Sequence, residues 1–85
     1  MKGQKPVKMY TLSTCSHCKA AKSFMKTNDI DFDFVDVDLL KGLEQAAVIE
    51  EIRKYNPRFS FPTILIGGDV IVGFQEGEIR KALSI

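Results

Sequence analysis

Cys15 and Cys18 are the chain's two cysteines, and Ser16 and His17 stand between them. A disulfide closed over so short a loop stabilises little as a crosslink, because the entropy removed from the unfolded chain grows with the loop. Small secreted domains that depend on disulfides carry several pairs. A lone CxxC in a chain of cytosolic character reads instead as redox or metal chemistry.

A thiol attacks a disulfide as its thiolate, and an ordinary cysteine, with a pKa of about 8.5, is mostly protonated near neutrality. Ser13-Thr14 is turn and capping material, so a helix is expected to begin at Cys15 or Ser16. The unpaired amides and positive dipole end of that helix then fall on the Cys15 sulfur. Cys15 is the expected nucleophile. Cys18, one turn on and nearer the interior, is placed to attack a mixed disulfide and release the product. A protonated His17 would favour the thiolate, although a histidine in a first helical turn is more often simply solvated. Lys19, Lys22 and Lys26 offer a positive rim that favours anionic thiols, against the plainer reading of a solvated helix face.

The competing class is a metal handler: a copper or zinc carrier, or an iron–sulfur carrier that uses Cys15 from two chains. Structural zinc takes four protein ligands, and this chain offers two thiols and one histidine beside them. No metal site within one chain is therefore expected.

The elements that must hold these residues can be read from periodicity. Val7 to Leu12 alternates as a strand, and the helix after it, with Cys18, Ala21, Phe24 and Met25 at helical spacing, stops at Asn28-Asp29. Ile30 to Asp38 is a second strand with a break in phase near Phe34. Asp38 is placed to cap a second helix, Gly42 to Tyr55, whose apolar face is expected from Leu43, Ala46, Ala47, Ile49, Ile52 and Tyr55. Asn56-Pro57 ends it. A hairpin follows, Thr63 to Ile66 and Val70 to Val72 around a Gly67-Gly68-Asp69 turn, then a helix from Glu76 to Ser84. The order is βαβαββα, a four-stranded mixed sheet with helices on both faces. Pro62 opens the third strand, either as edge punctuation or as a cis bond that turns the Phe61 backbone toward the sulfur.

The 85 residues suffice for one domain, with residues 1–5 expected to be flexible. Twelve basic against eleven acidic side chains give a net charge of +1, which argues against a nucleic-acid arm, although residues 1 to 28 carry six lysines and no acid. No apolar run approaches the roughly 20 residues of a membrane span, and the basic N-terminus lacks the apolar core of a secretory signal. A cytoplasmic monomer is expected.

Thr11 to Cys18, Phe61-Pro62-Thr63 and Val72 to Glu76 resemble the three active-site segments of glutaredoxins and of the related hydrogen donors of ribonucleotide reductase. The resemblance spans residues 7 to 84. It implies a minimal thioredoxin (glutaredoxin-like) α/β fold, a cis-Pro62, and thiol–disulfide exchange through Cys15 and Cys18 with no bound cofactor. Substrate contacts are implied from Ser16, His17, Phe61, Pro62, Gly73 and Phe74. The implied partners are disulfide-containing proteins, with electrons from glutathione or from a thioredoxin reductase. Where typical glutaredoxins carry a lysine ahead of the cysteines this chain has Leu12, and after Gly73 it has Phe74-Gln75-Glu76 rather than a small residue and aspartate. The first departure removes a carboxylate anchor for glutathione, and Gly73-Phe74 is more similar to the ribonucleotide-reductase donors. Arg53, Lys54 and Arg58 are the alternative anchors for a glutathione carboxylate.

Overall fold

The computed structural model describes residues 5–85, so the flexible start expected for residues 1–5 lies, except at Lys5, outside the described residues. Strands β1 (Val7–Thr11), β2 (Asp33–Asp36), β3 (Thr63–Ile66) and β4 (Asp69–Val72) alternate with helices α1 (Ser16–Thr27), α2 (Gly42–Tyr55) and α3 (Glu76–Leu83) in the βαβαββα order. The sheet runs β2-β1-β3-β4. β1 is parallel to β2 and antiparallel to β3, and β3 pairs antiparallel with β4. A parallel neighbour requires a crossover, which α1 supplies; an antiparallel one needs only a tight turn.

β1 is central, and its alternation feeds both faces. Val7 and Met9 pack with Ala21, Phe24 and Met25 of α1, Ile64 and Ile66 of β3, and Ile79 of α3. Tyr10 points the other way, into a cluster with Val37, Ile52, Val48 and Ile49 under α2. The Tyr10 hydroxyl donates to the Glu51 carboxylate on α2, and Lys8 Nζ lies 3.4 Å from the same group, strapping that helix across the sheet. α1 ends where Asn28-Asp29 implied. Asp29 takes a left-handed φ of 55°, and the amides of Asp29 and Ile30 return to the carbonyls of Lys26 and Met25 at 3.2 and 2.8 Å. This is the Schellman pattern.

Four local expectations are corrected. The second strand is shorter than Ile30 to Asp38: pairing is confined to Asp33–Asp36, and a 3₁₀ turn takes Val37–Leu39. Its break in phase reflects a strand approached on both faces, since Phe34 sits under Lys22 of α1 while Val35 joins the α2 cluster. Asp38 does not cap α2, because the 3₁₀ turn intervenes and Lys41 occupies the cap position without a side-chain bond. Instead Gln45 Nε2 donates to the carbonyls of Val37 and Leu40 at 3.0 and 2.9 Å, fixing the helix start.

The apolar face of α2 is also narrower than its sequence implied. Leu43 is 90% exposed and Tyr55 44% exposed, Ala46 and Ala47 face outward, and Val48, Ile49 and Ile52 make the contact. The hairpin turn has two residues rather than three, since Asp69 already pairs with Ile66. Gly67, at φ +58°, provides the left-handed step. Among the described residues no helix is long and apolar enough to cross a membrane.

Ile52 is fully buried, so Ile52→Ala is expected to cost about 2–5 kcal/mol. Leu43→Ala is expected to stay within about 0.5 kcal/mol of the parent. Urea denaturation of both variants checks the corrected face, and equal losses would restore the broad one.

Candidate active site

The register of the sheet brings the candidate segments to one end. Thr11 closes β1 opposite Asp36 of β2, Tyr10 pairs with Thr63 at the start of β3, and Thr63 pairs with Val72 at the end of β4. The Leu12–Cys15 turn, Phe61-Pro62 and Gly73-Phe74 therefore emerge side by side. The Gly73 amide donates to the Pro62 carbonyl at 2.7 Å, joining the last two. Gly73 has φ +85°, a conformation that side chains rarely adopt. The Phe61–Pro62 peptide bond is cis.

Cys15 is itself the N-cap of α1. Its amide donates to the Leu12 carbonyl at 3.2 Å and its carbonyl accepts the first helical bond, from Lys19, at 3.1 Å. The sulfur takes the place of a capping oxygen and accepts the Cys18 amide at 3.4 Å. Burial works against the Cys15 thiolate, but hydrogen bonds from the Cys18 thiol and from the Cys18 and His17 amides outweigh it and hold the thiol below its ordinary pKa. Cys18 is fully buried. That burial, reinforced by its bond to Cys15, pushes its thiol up to about 12, while the Leu12 amide and Lys22 pull the other way. The two thiols are thus pushed in opposite directions, Cys15 toward its thiolate and Cys18 toward its protonated form.

Ser16 and His17 lie exposed at the helix start. Pro62 is buried, and Phe61 packs its ring against the Tyr10, Val37 and Ile52 cluster. The Phe74 ring is turned into the core edge-on to Phe24, with centroids 5.8 Å apart. Of the three rim lysines, Lys19 and Lys26 are exposed, whereas Lys22 is paired with Asp36 at 3.0 Å. Among the described residues no group of three or more His, Cys, Asp or Glu side chains is arranged to hold a metal ion.

Two supports escaped the sequence reading. Asp38 accepts from the Ser13 amide at 2.9 Å and from the Ser13 hydroxyl at 2.5 Å, clamping the turn that carries Cys15 to the end of β2. Asn56, read only as a helix stop, is a buried knot. Its Nδ2 reaches the Ser60 carbonyl at 3.0 Å and Thr63 Oγ1 at 3.1 Å, and its Oδ1 accepts from the Arg58 amide at 3.2 Å. The loop bearing Phe61-Pro62 is built around it. The signal was present in composition, since turn residues cluster on both sides of the apolar run, but which donor meets which acceptor depends on the fold.

Residues 7–71 match the glutaredoxin family model. The glutaredoxin-like 8.6 kDa protein of the rubredoxin operon of Clostridium pasteurianum is 36% identical over 78 residues, covering 92% of this chain and 97% of its own. Among solved structures, methanoredoxin of Methanosarcina acetivorans is similar at 38% identity and TM-score 0.89, over 99% of this chain and 97% of that one. A glutaredoxin of Methanosarcina mazei Go1 is similar at 44% identity and TM-score 0.87, over 100% and 85%. A thioredoxin-type α/β sheet with a helix-capping CxxC defines the class, and the chain belongs to the glutaredoxin family.

The two thiols are expected to titrate far apart, Cys15 below about 8.5 and Cys18 up near 12. Each thiolate appears as pH rises through its own pKa, so ultraviolet thiolate absorbance should climb in two separate steps. In Cys15→Ser the early step should vanish. A single unshifted step in the parent would contradict the capping geometry.

Proposed function

We propose that the protein is a thiol–disulfide oxidoreductase that reduces protein or low-molecular-weight disulfides by dithiol exchange. The observation that carries this reading is the Cys15 sulfur at the helix cap, accepting the Cys18 amide at 3.4 Å with the buried Cys18 thiol beside it. Cys15 attacks as thiolate and one target sulfur leaves as a thiol, forming a mixed disulfide. Cys18 then displaces the second target sulfur, and the protein is left as the Cys15–Cys18 disulfide. Two electrons have passed to the target.

Ser16, His17 and the backbones of Phe61, Pro62, Gly73 and Phe74 are the proposed substrate surface, an extended segment of the target lying along the sheet end. Electrons return from glutathione or from a thioredoxin-reductase-type enzyme. Leu12 supports the second, because an aliphatic side chain offers no charge to a glutathione carboxylate. A reducing cytoplasm suits a protein that works as a dithiol.

Oxidised protein mixed with thioredoxin reductase, and separately with glutathione and its reductase, distinguishes the donors through NADPH consumption. Cys15→Ser is expected to abolish disulfide reduction, and Cys18→Ser to accumulate a mixed disulfide with the target. The reverse trapping pattern would exchange the two roles, and turnover that survives Cys15→Ser would end the reading.

A further inference from the structure

Lys22 stands one helical turn after Cys18 on α1, a spacing that leaves Cβ atoms about 5–6 Å apart. Its ammonium is fixed on the side of the sheet. Nζ lies 3.0 Å from Asp36 Oδ1, and the two side chains are only 18% and 15% exposed. Nζ also sits 3.9 Å from the centroid of the Phe34 ring, a cation–π contact. Asp36 in turn accepts from the Thr11 hydroxyl at 2.5 Å, and Thr11 is fully buried in β1. A flexible surface lysine has thus been pinned against β2, one helical turn after a buried thiol.

We propose that Asp36 and Lys22 are positioning residues for the resolving step: Asp36 holds the Lys22 ammonium one helical turn from Cys18, where its charge stabilises the thiolate as it forms. The inference rests on the dithiol exchange proposed above. In the mixed disulfide, Cys18 gives its proton to water and its sulfur attacks Cys15 Sγ. The bond from Cys15 to the target breaks, and the target sulfur leaves as a thiolate that takes up a proton. One disulfide has formed and one has been broken.

The titratable groups that face Cys18 are Cys15 across the first turn and Lys22 one turn on, with Asp36 behind Lys22 on β2. Once Cys15 is bonded to the target it carries no charge. Lys22 then supplies the favourable charge for a thiol that burial strongly disfavours ionising.

An equimolar nitroaromatic disulfide that releases a coloured thiolate reads both steps in one rapid-mixing trace. The first equivalent reports attack by Cys15 and the second reports resolution by Cys18; Cys18→Ser, giving the first alone, is the control. Lys22→Met is expected to slow the second phase about tenfold at neutral pH and to move its pH midpoint up by about one unit. The first phase should stay within about twofold of the parent, and Lys22→Arg should restore the second. Asp36→Asn removes a negative charge, which alone would speed ionisation of Cys18, so a slower second phase in that variant reports the loss of Lys22 positioning. If Lys22→Met fails to fold by thermal melting, Lys22→Gln takes its place. A second phase and pH midpoint unmoved by loss of the Lys22 charge overturn the inference, and an unslowed Asp36→Asn overturns the part of Asp36. A parent with no first phase would instead sink the dithiol reading itself.

Discussion

A sulfur stands where a helix start ordinarily places a capping oxygen, and the chemistry depends on that substitution. The first amides of any α-helix lack intrahelical partners and take them from a side chain or from water. At α1 the Cys18 amide finds the Cys15 sulfur at 3.4 Å. A thiolate accepts such bonds better than a thiol, so the requirement that caps the helix also favours ionisation of Cys15. The same backbone segment buries Cys18 and leaves Cys15 partly exposed. Cap and active thiol are one structural feature, and neither can be altered alone.

That cap needs a rigid base, which the centre of the sheet supplies. β1 is paired on both sides, to β2 and β3, so the turn leaving it cannot swing with an edge. Its far side is clamped by the bidentate contact of Ser13 with Asp38, and the loop opposite is tied internally by Asn56. Polar side chains do this locking because the strands end there and their backbone groups need partners. The apolar clusters set which elements meet; these short polar contacts set the orientation of the site.

What was legible in the sequence followed from local patterns. The CxxC, the Asn28-Asp29 stop and the glycine-marked hairpin each rest on nearby backbone chemistry, and the element order followed from them. Less legible was anything that required a partner distant in the chain. Asp38 looked like a helix cap because it precedes a helix, yet its carboxylate bonds to Ser13, 25 residues away. Leu43 and Ala46 fit a helical stripe, but a helix crossing a small sheet touches it along a few residues, so Val48, Ile49 and Ile52 are chosen by geometry. Lys22 belonged by spacing to a solvated rim, and only the position of Asp36 in the neighbouring strand draws it inward.

The Lys22–Asp36 pair alters the electrostatics of the rim. Read as sequence, Lys19, Lys22 and Lys26 make a positive collar that would attract small anionic thiols from a distance. In the fold, Asp36 and Asp38 stand at the same end of the sheet and Asp36 pairs with Lys22, while Lys26 lies about two turns beyond Lys19 along α1. Charges of both signs within a Debye length of about 8 Å largely cancel beyond it. What remains at that end is a short-range surface, Leu12 with the Phe61 and Gly73 backbones that emerge beside its turn. A surface of that kind discriminates by shape and by paired backbone groups rather than by net charge.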